Sequence, residues 1–322
     1  MKQTLKTVSL STLVALLLCG CTGQKETNLT EETVAHNSIY HWQTTFSLDS
    51  CELAFLHCHN IDRIYMHMFD VAVEHNYKTQ AAEVVPIATT KFTSSIPEEI
   101  EVVPVAYITL DALRLMRDKE DMYASLIVER LLAMCSYNEC GVIKELQIDC
   151  DWTQTTENSY FTLCRSMRQL LQEKGVQLSV TIRLHQLCSE IPPVDKGVLM
   201  LYNTGALKNY ETHNSILDID DVRPYIKSAS YELPLDYAFP AFGWGVKFVD
   251  EKFVSIVSEQ DSVTADNEYI RKERASYADI MNVKELVEAQ LGKPLHGNIL
   301  YHLDNSQLNN YTQDEIEQIL AH

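Results

Sequence analysis

The stretch Glu145-Leu146-Gln147-Ile148-Asp149-Cys150-Asp151-Trp152-Thr153 decides the fold of this chain. It has the pattern of a buried strand that ends in two carboxylic acids and an indole. Because side chains alternate between the two faces of a strand, Asp149 and Asp151 are predicted to share one face with Gln147. Two acids at the end of an apolar strand are unfavourable to bury unless they are paired or solvated. A functional site at this strand end is the simplest reason for them.

Seven further strand-like segments alternate with helix-like segments on either side of this stretch. We predict strands at residues 38–46, 63–69, 101–108, 177–184, 198–202, 235–239 and 297–303, and helices at residues 51–59, 118–134, 156–174, 220–227, 283–291 and 312–320. Alternating strands and helices indicate a parallel sheet, and eight such units in roughly 285 residues predict a closed (β/α)8 TIM-like barrel. An open doubly wound sheet is the alternative, although no GxGxxG motif and no phosphate loop follow any strand. Residues 246–280 interrupt the rhythm and are predicted to be a small insertion after the seventh strand.

The start of the chain has the features of an export signal. Lys2 and Lys6 precede an apolar run at residues 10–18 that is short for a membrane span, and Leu18-Cys19-Gly20-Cys21 resembles a bacterial lipobox. We expect residues 1–20 to be a lipoprotein signal peptide and Cys21 to carry the lipid anchor; an ordinary secretory signal or membrane anchor is the alternative. Residues 21–37 are polar and are expected to tether the barrel domain at 38–322 to a membrane. The expected location is the cell envelope, at the outer membrane.

Charge excludes one class of partner. Setting Lys2 and Lys6 aside lowers the basic residues from 26 to 24 against 45 acidic ones, which gives a formal charge of −21. A surface this acidic repels phosphate groups, so nucleic acid is excluded as a partner. Neutral ligands such as glycans remain open, and so do cationic ones.

Cysteine usage indicates core thiols. Seven cysteines follow Cys21, an odd number with no CxxC motif, which argues against a complete disulfide framework and against a zinc site. Cys135 and Cys140 are close enough in sequence to pair in an oxidising compartment, but nothing in the sequence requires it. Because His, Asp and Cys do not occur at metal-ligand spacing, we expect no metal and no cofactor.

The predicted strand ends carry polar and aromatic side chains, and in (β/α)8 barrels these ends form the active-site face. Four residues there are candidates for catalysis, namely Asp149, Asp151, His185 and Asp304. Eight more are candidates for substrate binding, namely Trp42, Asp70, Trp152, Arg183, Tyr202, Asn203, Trp244 and His302. Indoles stack on the apolar faces of sugar rings while carboxylates and amides bond hydroxyl groups, so this lining is typical of a glycan site.

Each charged candidate also has a structural interpretation. Two neighbouring acids raise the pKa of one of them, which could then act as a general acid. Alternatively, Asp149 and Asp151 form a buried network clamped by Arg183. His185 is either an acid–base group or a structural histidine bonded to a nearby acid. Asp304 is either a site residue or a solvated loop carboxylate.

Three short motifs resemble those of family 18 glycoside hydrolases, the chitinase-type barrels. Asp149-Cys150-Asp151-Trp152-Thr153 is similar to their fourth-strand D-x-D-x-E, Met200-Leu201-Tyr202-Asn203 to their sixth-strand M-x-Y-D, and Phe239-Pro240-Ala241-Phe242-Gly243 to their seventh-strand P-F-Y-G. The insertion falls where many members place a small subdomain, and His302-Leu303-Asp304 stands near their eighth-strand tryptophan segment. The whole chain also resembles a group of uncharacterised Bacteroidetes lipoproteins.

The departures from this pattern limit what the resemblance implies. In the family the final Glu of the fourth-strand motif is the general acid, and that position here is Thr153, whose hydroxyl cannot donate the required proton. Asn203 replaces a supporting carboxylate. The resemblance implies a sugar-sized cleft without the standard acid. Three functions therefore stay open: a glycan hydrolase, a non-catalytic glycan-binding barrel, and an envelope scaffold whose partner is another protein.

Overall fold

The structure is a computed structural model that describes residues 34–226 and 231–322. The predicted signal peptide, the Cys21 anchor and most of the predicted tether lie outside the described residues. Within those two ranges, no helix is both long enough and apolar enough to cross a membrane.

The core of the fold is a closed parallel barrel. The strands of the described residues are, in chain order, β1 (Asn37–His41), β2 (Thr45–Phe46), β3 (Ile61–Asn76), β4 (Ala81–Ile87), β5 (Lys91–Phe92), β6 (Glu101–Ile108), β7 (Glu145–Asp149), β8 (Gln177–Ile182), β9 (Lys196–Met200), β10 (Leu235–Pro240), β11 (Gly243–Val249), β12 (Lys252–Val257), β13 (Glu268–Arg274) and β14 (Asn298–Tyr301). Strands β1, β3, β6, β7, β8, β9, β10 and β14 pair side by side in parallel, and β1 pairs with both β14 and β3, which closes the sheet. The predicted (β/α)8 barrel is confirmed.

Helices connect the barrel strands. They are α1 (Ser50–Cys58), α2 (Leu110–Leu115), α3 (Glu120–Tyr137), α4 (Glu157–Gln172), α5 (Ile219–Ile226), α6 (Tyr277–Leu291), α7 (Asn305–Leu308) and α8 (Gln313–Leu320), with a 3-10 helix at Leu184–Cys188. Side chains of the preceding residues fix several starts: Asp49 accepts the backbone N–H groups of Cys51 and Glu52, and Thr312 accepts that of Glu315. The predicted helices are all present, whereas the short α2 was not predicted.

The second barrel strand is much longer than predicted. Strand β3 does not end at Asp70 but continues to Asn76, and β4 then folds back along it as an antiparallel hairpin. Pro86, in a segment for which no strand was predicted, lies in β4 opposite Val71. Proline is tolerated there because β4 is an edge strand, so the missing N–H breaks no ladder on its outer side.

The insertion after the seventh barrel strand is a three-stranded antiparallel sheet with the order β12-β11-β13. It begins at Gly243 and ends at Arg274, and α6 follows from Tyr277. The sheet therefore starts before residue 246, where the insertion was predicted to begin. Residues 277–280, predicted as the end of the insertion, belong to α6 instead.

The two ends of the barrel interior differ in chemistry. At the amino-terminal ends of the strands, the Lys196 ammonium, 2% exposed, lies 2.8 Å from Glu145 Oε2 and 3.1 Å from Asp236 Oδ2. Arg63 adds a second cation, 2.8 Å from Glu101 Oε1. Charges this deeply buried need partners, and this cluster closes one end of the barrel. The opposite end, where the strands terminate, contains the candidate site.

Candidate functional site

Asp149 is the last residue of β7 and lies deep in the barrel, with 4% of its side chain exposed. Its Oδ1 accepts a hydrogen bond of 2.5 Å from the Thr181 hydroxyl and lies 3.5 Å from Nη2 of Arg183. Burial raises the pKa of the Asp149 carboxyl, although Arg183 and Thr181 both favour its charged form. Asp149 is thus an anchoring group beneath the surface of the site.

Asp151 lies two residues further, and 46% of its side chain is exposed. Arg183 donates from Nε to Oδ1 of Asp151 at 2.5 Å, while its other end lies beside Asp149. One guanidinium therefore bridges both acids of the opening motif, and these anions hold the pKa of Arg183 well above its usual range despite its burial. The clamp by Arg183 agrees with one of the two sequence interpretations, but that interpretation had both acids buried, and Asp151 is half exposed.

Three aromatic rings, those of Tyr202, Tyr301 and Trp42, lie next to this network, and we call them the aromatic floor. The rings of Tyr202 and Tyr301 stack at 4.4 Å with an interplanar angle of 27°, and the Arg183 guanidinium lies 5.6 Å from the Tyr202 ring. Trp42 contacts Tyr301 at 5.8 Å between ring centroids and His67 at 5.0 Å. Tyr202 is buried at 6% exposure while Trp42 and Tyr301 are half-buried, so the exposed parts of these rings form an apolar surface against which a flat ligand face can pack.

Polar side chains fix the floor from below and from the side. The Tyr40 hydroxyl donates to Gln147 Oε1 at 2.7 Å, and Gln147 Nε2 donates to Ser179 Oγ at 3.3 Å. On the far side of Trp42, His67 Nε2 bonds Asp70 Oδ1 at 2.8 Å. Because these bonds restrict the rings and the acids, the site has little freedom to rearrange.

The open part of the site is a cavity of about 380 Å³, which we call the mouth cavity. Five of the predicted site residues line it together with four others: Asp151, Arg183, His185, Tyr202, Asn203, Leu184, Met200, Thr204 and Tyr225. His185 is exposed on the 3-10 helix rather than on strand β8, and Asn203 is exposed with a φ of 54°. Asp151 is the only carboxylic acid among these lining residues.

One wall of the mouth cavity is held by the insertion. Asn203 and Thr204 begin a long loop after β9, and Arg271 of β13 donates to the carbonyl oxygens of Leu207 at 3.0 Å and Asn209 at 2.7 Å. Arg271 is itself paired at 2.5 Å with the buried carboxylate of Glu273. The three-stranded sheet therefore positions the loop that forms this wall.

The prediction that Trp152 lines the mouth is wrong. Its side chain is 1% exposed and stacks on Tyr160 of α4 at 5.8 Å, with Phe161 at 5.3 Å. Strand alternation itself places Trp152 on the face of Cys150, which is 0% exposed and points towards the helices. The prediction gave more weight to the position of Trp152 at a strand end than to this alternation.

Three other predicted residues, Asp304, Trp244 and His302, lie outside the lining of the mouth cavity. Asp304 is the N-terminal cap of α7, and its Oδ1 accepts the Ser306 N–H at 2.9 Å. Trp244 packs on Phe242 at 5.2 Å and donates from Nε1 to Glu273 Oε2 at 2.8 Å. His302 contacts Phe242 at 6.5 Å between centroids, and burial lowers its pKa. Roles in binding or catalysis for these residues stay predictions.

Several residues that build the site were not predicted. Tyr301 is the last residue of β14 and Tyr107 the last but one of β6, while Thr181 bonds Asp149 and His67 bonds Asp70. Burial, with the nearby carboxylates of Asp151 and Asp149, raises the pKa of Tyr107 to about 12. Alternation along β6 and β14 could have found both tyrosines, whereas the bonds of Thr181 and His67 depend on tertiary contacts.

No group of three or more His, Cys, Asp or Glu side chains in the described parts of the chain is arranged to hold a metal ion. The polar atoms of the site instead bond one another, as the Asp149–Thr181 and Asp151–Arg183 pairs show.

Comparisons with known proteins bear on the fold. No protein-family model and no curated protein match the sequence. Among solved structures, a chitinase from Chromobacterium violaceum superimposes with a TM-score of 0.57 at 12% identity, covering 90% of this chain and 100% of that one. In fold, the chain is chitinase-like. The spore cortex-lytic enzyme SleL of Bacillus megaterium gives 0.56 at 12% identity (90% and 75% covered), and the GH18 chitinase ChiB of Flavobacterium johnsoniae gives 0.53 at 10% (89% and 94% covered). At these identities the likeness concerns the barrel alone.

Proposed function

We propose that this chain is a lipid-anchored envelope protein whose barrel binds a glycan at the mouth cavity without cleaving it. The observation that carries the proposal is the Arg183 bridge. Most glycoside hydrolases use two carboxyl groups that flank the scissile bond, whereas family 18 enzymes use one acid with assistance from the substrate. Here Asp149 is buried and bonded to Thr181 and Arg183, so Asp151 is the only carboxylate that lines the cavity.

Asp151 is poorly suited to act as a general acid. A general acid must donate a proton to the leaving-group oxygen, and Oδ1 of Asp151 is already engaged as the acceptor of the Arg183 Nε–H bond at 2.5 Å. Thr153, at the position of the family's catalytic Glu, has its hydroxyl 3.0 Å from that of Thr155 in the turn that leads into α4. Both features favour binding over hydrolysis.

The lining of the mouth cavity suits a sugar. Its volume of about 380 Å³ is in the range of small-ligand sites. Tyr202, supported from outside the lining by the stacked Tyr301 ring, offers an aromatic face for a sugar ring, while Asn203, Thr204 and Asp151 offer groups that bond hydroxyls. The chitinase-like fold supports a glycan as the ligand class, and the acidic composition favours a neutral or cationic one.

The deciding experiment is a glycan array combined with a hydrolysis screen of the same glycans. We expect wild type to bind at least one glycan and to release no product from it. Asp151→Asn should bind about tenfold more weakly, because a charge-assisted hydrogen bond to the ligand is lost, whereas Asp304→Asn, outside the cavity lining, should bind as wild type does. Turnover by wild type that Asp151→Asn abolishes would instead establish a hydrolase. Silence of both proteins on all glycans would favour the envelope scaffold.

The anchor is tested separately. Lys2, Lys6, the apolar run and Cys21 support lipid attachment and, with it, a location in the cell envelope at the outer membrane. Labelling with palmitate should be lost in Cys21→Ser. Fractionation of wild type should place the protein with outer-membrane markers, and a soluble labelled protein would contradict the proposed location.

A further inference from the structure

A second cavity, of about 330 Å³, opens at the amino-terminal end of the barrel, far from the mouth cavity. Cys140 contributes to its wall and is 4% exposed, and Cys135 behind it is 2% exposed. The backbone N–H of Cys140 donates to the Cys135 carbonyl at 3.0 Å, and the two thiols are themselves hydrogen bonded. A disulfide requires such close approach of the two residues.

The turn after α3 imposes this approach. Glu139 and Gly141 have φ angles of 53° and 75°, which reverse the chain directly after the helix and bring Cys140 against its last turn. The remaining buried thiols lack this arrangement: Cys150 and Cys164 are 0% exposed and do not line this cavity.

We propose that Cys135 and Cys140 are a redox-active pair that becomes a disulfide by exchange with a small disulfide entering this cavity, with Cys140 reacting first. The proposal is independent of glycan binding. Cys140 is the thiol at the cavity wall. The Cys135 thiol, which donates its hydrogen bond to the Cys140 sulfur, lowers the pKa of Cys140 and so favours the thiolate, the reactive form.

The exchange proceeds in two displacements. The Cys140 sulfur attacks one sulfur of the incoming disulfide, whose S–S bond breaks, and one thiol of the reagent leaves. The Cys135 sulfur then attacks Cys140 in this mixed disulfide, and the second thiol of the reagent leaves. Two electrons pass from the protein to the reagent, and the two thiol protons of the cysteines end on the two released thiols.

The charge of the cavity selects the reagent. Asp62, Glu98, Glu99 and Glu101 contribute carboxylates to the lining, against His36 and Lys144. Asp62 is bonded to His36 and Glu101 to Lys144, which leaves the excess negative. A cationic disulfide is therefore expected to react faster than an anionic one.

The test treats the purified full chain with cystamine, a cationic disulfide, and locates disulfides by peptide mass mapping. We expect a Cys135–Cys140 linkage, while Cys150 and Cys164 remain thiols. Cys135→Ser should accumulate the mixed disulfide on Cys140, because the second displacement is blocked, and in Cys140→Ser the Cys135 thiol should survive. Free Cys135 and Cys140 thiols in wild type after excess cystamine would overturn the proposal, and this result does not depend on the folding of any variant.

A second arm compares cystamine with oxidised glutathione, which is anionic. At low ionic strength the reaction at Cys140 should be about tenfold faster with cystamine, and the difference should shrink in 1 M salt. Equal rates for the two reagents at low salt would contradict entry through the acidic cavity.

Discussion

Arg183 and Asp151 are joined at the barrel mouth by a hydrogen bond of 2.5 Å from Nε to Oδ1. The same guanidinium lies 3.5 Å from Asp149, so one cation serves two acids of very different exposure. The bridge holds the exposed acid in one orientation towards the cavity. It also supplies the countercharge that the buried acid needs.

Removal of this cation should strongly destabilise the protein. In Arg183→Met, Asp149 keeps 4% exposure but loses its only nearby cation among the salt bridges of the described residues. We expect the free energy of unfolding to fall by about 3–5 kcal/mol, because breaking a buried pair leaves an uncompensated charge. Urea unfolding at neutral pH measures the change.

An exposed ion pair provides the control. Arg114 and Asp111 are 2.7 Å apart with side chains 51% and 80% exposed, so Arg114→Met should cost less than about 1 kcal/mol. Equal losses in the two variants would mean that Arg183 has no special role in the core of the site.

Substitution of two tryptophans should separate the effects on protein stability from those on glycan binding. Trp152→Ala removes a side chain that is 1% exposed and should cost about 3–5 kcal/mol of stability, with glycan affinity unchanged at temperatures where the variant is folded. Trp42→Ala should weaken glycan binding about tenfold, with a smaller loss of stability, because Trp42 packs on Tyr301, whose ring supports Tyr202 in the cavity lining. Thermal unfolding and array binding check both. Loss of affinity in Trp152→Ala alone would reverse this assignment.

His41 should make the fold sensitive to mild acid. Burial, followed by the proximity of His302 and His67, lowers its pKa from 6.5 to about 4. Because the pKa of His41 is lower in the folded than in the unfolded state, the unfolded chain takes up a proton first as the pH falls. The free energy of unfolding is therefore highest above pH 6.5 and falls as the pH approaches 4, by about 3 kcal/mol at most. Urea midpoints between pH 7 and pH 4 should therefore fall less steeply in His41→Gln than in wild type.

The exposed His75 is the matched control for this effect. His75→Gln should keep the wild-type slope of stability against pH over the same range. If His41→Gln and wild type have the same slope, the buried imidazole does not titrate in this window.

Placing a carboxylic acid at position 153, where family 18 glycoside hydrolases have one, should not create catalysis. Residue 153 lies in a turn, where its backbone N–H donates to the Thr156 hydroxyl and the native Thr153 hydroxyl bonds that of Thr155. In Thr153→Glu the new side chain starts from this turn, and Asp151 stays bonded to Arg183. We expect no release of product from any bound glycan in a hydrolysis assay. Measurable turnover would show that only the missing acid separates this barrel from a hydrolase.

The fold was predictable because its signal is repeated eight times. Each barrel strand has its own apolar run, so errors of a few residues at the ends of β8 or β14 did not change the topology. The extension of β3 beyond Asp70 was not predicted because it depends on pairing with β4, which is a tertiary contact. Pro86 in β4 is a residue more typical of loops than of strands.

The site was predictable in part. The acids of the opening motif and Arg183 follow from alternation at strand ends, and all three meet where expected. Trp152 was misplaced because its position after a strand end was given more weight than alternation, which puts it on the buried face of Cys150. Alternation along β14 places Tyr301 on the inner face, but its role in the site depends on stacking with Tyr202, which is a tertiary contact.

Arg271 holds the loop after β9 through hydrogen bonds to backbone carbonyl oxygens of that loop, not to its side chains. The side chains of Tyr210 and Lys208 also pack on the insertion, at Phe248 and Phe253, whereas Ala206, Leu207 and Glu211 can change without loosening these bonds. A protein engineer could vary these three residues to reshape the loop that begins at Asn203 while β13 keeps its backbone in place. The insertion thus acts as a fixed frame for an interchangeable recognition surface, much as a rigid scaffold supports variable loops in binding proteins.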